Sequence, residues 1–247
     1  MPDLPLWKWL LGACCAFNVG VAKTGVPGLG ILVIPLFVFT VGDARLSAGW
    51  LLPILISADV FAVFYYRRHA AANRLFSLLP WVIAGLAAGA YVLRFNDAVL
   101  RPLVGGIIFV MLCIYLLRKR SVNPIPTEGA FYTGFYGCFA GFATTIANAA
   151  GPVMNIYLLT KKLSREEFVA TGAWFFFVVN LTKVPIYLSH NMISRSSLIF
   201  DLMLLPATIG GALVGRKVLA WMPEKVFEYS VIGLTFLATI ALFLPAR

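Results

Sequence analysis

Lys23-Thr24-Gly25-Val26-Pro27-Gly28-Leu29-Gly30 sets three glycines and a proline behind a lysine, between two apolar runs. Such a stretch is expected to interrupt a helix. Irregular backbone at membrane depth persists only inside protein or beside a water-filled cavity, because lipid cannot satisfy freed N–H and C=O groups. The chemistry that suits it is anion binding. Glycines admit backbone N–H groups, and a helix restarting there aims its positive dipole end at the ligand. Gly25, Gly28 and Gly30 fit that task, with Thr24 as a hydroxyl donor and Lys23 as a charge. A twin follows half a chain later, Thr144-Thr145-Ile146-Ala147-Asn148-Ala149-Ala150-Gly151-Pro152. There Gly151 takes the glycine role, and Thr144, Thr145, Asn148 and Asn155 add donors. The alternative is that the glycines only pack helices and Lys23 snorkels to the surface.

Four further polar residues, Asp59, Asn180, Lys183 and Asp201, stand within apolar runs, and Lys183, like Lys23, could supply positive charge near the anion path. Asp59 is costly in mid-span unless paired, protonated or wet. Pairing with Lys183 is expected, and proton coupling is the alternative. Asn180, one turn before Lys183, shares its face and joins the same cluster. Asp201, close to a span end, is expected to meet headgroups or water. His69 and His190 read as isolated interfacial histidines.

The elements holding these residues are hydrophobic segments. Of 247 residues, 61% are hydrophobic and 12% charged, half the charge of a soluble domain. Ten segments follow: about 6–22, 28–41, 46–66, 75–93 and 98–117, then 130–149, 151–159, 168–188, 198–220 and 226–244. The first two of each set are short or broken, and whether the second member crosses or turns back is left open. Gly85 and Gly89 are spaced for close helix packing. The fold expected is therefore an all-α polytopic membrane protein of two repeats, 1–120 and 130–247, joined by a cytoplasmic linker, 121–129. An offset of 123 positions lays Gly28 on Gly151 and Gly49 on Gly172.

Five segments per repeat is odd, so the second repeat should be inverted. Alternating loops put Lys8, Arg45, Arg94, Arg101, Arg195 and Arg247 on one side and thirteen basic residues on the other. The positive-inside bias makes the richer side cytoplasmic and both termini external. This dispersal also accounts for the net charge of +10 without nucleic acid, which would require a continuous basic face. Cys14, Cys15, Cys113 and Cys138 show no metal or redox spacing. Walker, dinucleotide, zinc and nucleophile-elbow patterns are all missing, so neither a cofactor nor enzymatic chemistry is expected.

Gly25, Gly28 and Gly30 with Pro35-Leu36, the second motif Asn148-Ala-Ala-Gly151-Pro152 and the duplicated segment order together resemble the TauE/SafE family of sulfite exporters. The second motif keeps one glycine where several are expected. The resemblance implies export of a small sulfur-containing anion, sulfite or a sulfonate, across the inner membrane by alternating access at a midplane site. The partners are then that anion and the lipid bilayer, with proton coupling and a homodimer left open. The rivals are a carrier of another organic anion, a proton-coupled importer, a cation or neutral-solute carrier using Asp59, and a non-transporting membrane assembly factor.

Overall fold

The computed structural model describes residues 4–70, 72–92, 97–120, 129–147, 150–189 and 191–243. Asn148, His190 and linker residues 121–128 lie outside them. Among the described residues there are ten α-helices, one short 3-10 turn and no strand. They are α1 (Leu6–Thr24), α2 (Gly30–Val41), α3 (Ala44–Tyr66), α4 (Ala72–Val92) and α5 (Asp97–Arg120), then α6 (Ala130–Ala147), α7 (Ala150–Thr160), α8 (Arg165–Ser189), α9 (Arg195–Trp221) and α10 (Glu224–Phe243). Three stretches, Leu46–His69, Arg165–Ser189 and Arg195–Trp221, are long and apolar enough to cross a bilayer. At about 1.5 Å per residue, α2 and α7 reach only about 18 and 17 Å, short of a hydrocarbon core of about 30 Å.

Local chemistry sets the ends. The Asp43 side chain accepts from Leu46 N at 2.7 Å to start α3, and Ser194 and Ser197 form a reciprocal capping box that starts α9. Gly42, at φ +92°, supplies the left-handed turn that stops α2. The first interruption is narrower than the sequence predicts. Lys23 and Thr24 are the last turn of α1, and only 25–29 are non-helical. Thr24 is still helical, with its hydroxyl 3.0 Å from Gly20 O. In the same way Thr144 and Thr145 belong to α6.

The chain forms two compact units, Met1–Ala70 with Arg165–Phe227, and Ala71–Ser164 with Glu228–Arg247. Each takes helices from both halves of the sequence. In the first unit α1 lies along α9. A Cβ at Gly20 would strike backbone of Thr208 and Ala212, one at Gly25 would strike Gly215, and one at Gly211 would strike Phe17. Residue numbers rise together along this contact, so the two helices are parallel. In the second unit α4 lies along α6 in the same sense, with Gly85 against Cys138 and Gly89 against Phe142 and Thr145. The expected packing face at Gly85 and Gly89 is therefore present. By contrast α3 and α8 are antiparallel, since Gly49 meets Met192 while Asp59 meets Asn180. These directions are what a chain reversing at every connection produces. Beside the α1–α9 seam, the core of the first unit includes Cys15, Ala16, Val19, Phe37, Ile54 and Phe200.

Candidate functional site

The polar residues in the apolar runs of the first unit converge on Asp59, which is fully buried. Lys23 at the end of α1 places its Nζ 2.8 Å from Asp59 Oδ1. From α8, Asn180 Nδ2 donates to Asp59 Oδ2 at 2.8 Å. The Lys23 ammonium also lies 3.9 Å from the centroid of the Phe176 ring, one turn before Asn180 on α8. Lys183, another turn on, is buried and within electrostatic reach of both Asp59 and Lys23. The direct ion pair thus differs from the expected one: Lys23 contacts the carboxylate, and Lys183 is a second cation beside the pair. Parallel α1 and α9 set the last turn of α1 deep in the unit, which brings Lys23 to Asp59 and prevents it from snorkelling.

Two lysines therefore stand beside one fully buried carboxylate, and at the low local dielectric of such a place charges interact more strongly than in bulk water. Asn180 and Lys23 engage the two oxygens of Asp59, the geometry of a charge-assisted contact.

Thr24 and Gly25 have other employment. The Thr24 hydroxyl is 3.0 Å from Gly20 O and 2.7 Å from Ala212 O, and its single proton is used between them. Its carbonyl accepts from Tyr66 Oη at 2.9 Å. Gly25 allows the approach of Gly215. For these two residues helix packing accounts for the sequence. Gly28 and Gly30 differ from them. Gly28 turns at φ +106°, and a Cβ on Gly30 would meet only Ala22, at 3.6 Å. Both stand at the opening of α2, where Leu29 N and Leu32 N are already bonded to Val26 O and Leu29 O and the other first-turn N–H groups have no intrahelical acceptor.

The remaining candidates belong to the second unit. Asn155 is buried and donates to Thr235 Oγ1 at 3.3 Å. Thr144 is buried, and the Thr145 hydroxyl returns to Gly141 O at 2.9 Å. Around Gly151 a Cβ would find open space to 4 Å. This unit also has a groove of about 540 Å³ lined by Trp81, Phe131, Phe135, Phe139 and Phe142 among others, too apolar to hold an anion.

The sequence profile of the sulfite exporter TauE/SafE family matches residues 12–242. The chain belongs to that family. It is accordingly a multi-pass membrane protein of a transporter family. No curated protein and no solved structure matches it. Within the TauE/SafE chain, Phe176 and Tyr66 escaped the sequence reading. Phe176 had a signal, standing four residues before Asn180 on the same helical face. Tyr66 had none, because its bond to Thr24 depends on how α1 and α3 meet.

Proposed function

We propose that this TauE/SafE protein exports a small sulfur-containing anion, sulfite or an organosulfonate, from the cytoplasm by alternating access at a midplane site. The observation that carries the reading is the Lys23–Asp59–Asn180–Lys183 cluster, which sets two lysines beside one fully buried carboxylate. In this mechanism the cluster attracts the anion, and the N–H groups at the start of α2, freed by Gly28 and Gly30, replace part of its hydration. Gly151, Asn155 and Thr144 are proposed to do the same in the second unit. Export from a negative interior is favourable by about 2.3 kcal/mol per charge per 100 mV, so an anion needs no other driving force.

Inverted repeats fit this mechanism. Moving α1, α3 and α4 along by 123 positions sets their first residues within two of those of α6, α8 and α9. The seam in one unit joins the first helix of one half to the fourth of the other, and so does the seam in the second unit. Interrupted segments at matching places are where transporters of this kind hold their substrates.

The test is flux of labelled sulfite, and of a sulfonate panel, into inside-out proteoliposomes. Lys23→Gln and Gly30→Leu are expected to cut initial flux at least about tenfold, a loss of about 1.4 kcal/mol in transition-state stabilisation. Gly30 is a cleaner probe than Gly28, where the positive φ strains any side chain. Wild-type flux that neither substitution changes would remove the site. Flux confined to neutral solutes or cations would remove the anion.

A further inference from the structure

On α9, Asp201 is 7% exposed, and neither carboxylate oxygen has a hydrogen-bond partner. The expectation that it meets headgroups or water is therefore not met. It lies on the buried stripe that runs through Ser197, Leu204, Thr208 and Ala212 toward α1. The nearest hydroxyls on that stripe are committed. Ser197 donates to Ser194 O at 2.8 Å, and Thr208 lies 3.3 Å from Leu204 O.

The charged and titratable groups on the surrounding helices do not serve Asp201 either. α1 carries Lys8, Cys14, Cys15 and Lys23, α2 carries none, and α3 carries Arg45, Asp59, Tyr65 and Tyr66, with Asp43 as its cap. Lys23 and Asp59 hold each other. Lys8 stands 5.6 Å from the Trp7 ring, and Asp43 caps Leu46. Arg195, Arg216 and Lys217 share α9 with Asp201. Among the described residues, the Asp201 carboxyl forms no ion pair. The side chain of Arg45 lies outside the described set.

Phe200, next in the chain, is fully buried at the centre of an aromatic cluster. Its ring centroid is 4.6 Å from that of Trp9, 5.4 Å from Trp50 and 6.3 Å from Phe37. Four helices, α1, α2, α3 and α9, are thereby closed together at the end of the unit where Arg195 stands. Asp201 is six residues from Arg195, about 9 Å along the helix. Ala212, which meets Thr24 at the level of the Lys23 pair, is about 17 Å further on. The carboxyl thus stands apart from the anion cluster and next to the aromatic closure.

A carboxylate buried from bulk solvent with no protein hydrogen-bond partner is too costly to keep ionised, so the buried form carries a proton. We propose that Asp201 is a proton-binding site behind an aromatic closure, loaded from solvent on the Arg195 side, whose ionisation favours opening. In the closed form the carboxyl is neutral. When Trp9, Trp50, Phe37 and Phe200 part, water enters, the proton leaves to that water, and the charged carboxylate is hydrated. Re-closing requires the proton back from the same solvent. Low pH on that side therefore favours closure and high pH favours opening, with the ratio of open to closed forms shifting by up to about tenfold per pH unit. The inference rests on the transport reading only for what the opening admits.

Infrared difference spectroscopy tests the site without any substrate. The C=O stretch of a protonated carboxyl is expected in wild type and in Asp59→Asn, and is expected to vanish in Asp201→Asn. A band unchanged in Asp201→Asn would overturn the proposal. Should Asp201→Asn fail to fold, Asp201→Glu replaces it. A displaced band then supports the assignment, and an unmoved one overturns it. Tryptophan emission against pH reads the closure: a transition in wild type that is lost in Asp201→Asn supports the coupling, and an identical transition in both sinks it. Absence of sulfite flux in wild type would strike the substrate reading and leave these readouts intact.

Discussion

Asp59 holds two cations together, so its loss is expected to be felt first as instability. Asp59→Asn removes the fully buried carboxylate that Lys23 pairs with at 2.8 Å, and breaking a buried pair in this way costs about 3–5 kcal/mol. A large drop in thermal midpoint in detergent is the expected outcome. The double variant Lys23→Met with Asp59→Asn removes one cation along with the carboxylate and should recover part of that loss while remaining inactive in flux. Recovery of stability without recovery of flux would separate the structural work of the pair from its work on the anion. The sequence marked Lys23, Asp59, Asn180 and Lys183 because polar side chains in apolar runs stand out. It could not tell which lysine touches the carboxylate, since that depends on how far α1 runs before Gly25. The repeat alignment suggested Lys183, and tertiary placement chose Lys23. Asp201 shows the opposite limit: its distance from a helix end says nothing about how deeply its side chain is buried.

Among the helices, parallel seams built on glycine carry most of the contact in each unit. They offer a sharp comparison between two adjacent residues. A Cβ at Gly211 would collide with the Phe17 carbonyl, whereas one at Gly210 would touch only Phe17 Cδ2, at 4.0 Å. Gly211→Ala is expected to destabilise by about 1–3 kcal/mol through overpacking. Gly210→Ala is expected to be neutral or to stabilise by up to about 1 kcal/mol, through helix propensity. Thermal unfolding of the two variants side by side checks this, and equal effects would contradict the packing. Helix positions were legible from hydrophobic runs and charged punctuation, and the segment boundaries read from sequence agree with α3 and α7 to within two residues. The seam at Gly85 and Gly89 was legible from its spacing. The seam at Gly25 was read instead as a binding loop, because a glycine needed for close approach and one needed to expose backbone look alike in sequence. Only the facing Gly215 tells them apart.

For the whole molecule, alternation of helix direction makes a specific demand on topology. Ten segments, an even number, are expected to return the chain to its starting side, and the positive-inside bias is expected to put the side richer in basic residues in the cytoplasm. A fluorescent-protein fusion at the C-terminus is expected to be dark and an alkaline phosphatase fusion active, with the reverse pattern at the linker 121–128. Bright fluorescence at the C-terminus would reverse the export direction argued above.

The interleaving of the two halves also governs how the protein is made. Thr24 bonds to Ala212, 188 residues later in the chain. Helix α1 therefore leaves the ribosome and enters the bilayer long before its partner exists. Until α9 arrives, the Gly20–Gly25 face is open to lipid, and Lys23 must reach Asp59 or a headgroup to stay inserted. Assembly of the first unit thus waits until the chain is nearly finished. A nascent protein interrupted before α9 carries an unsatisfied small-residue face and a half-built charge cluster, which are features that membrane quality control can read as incomplete.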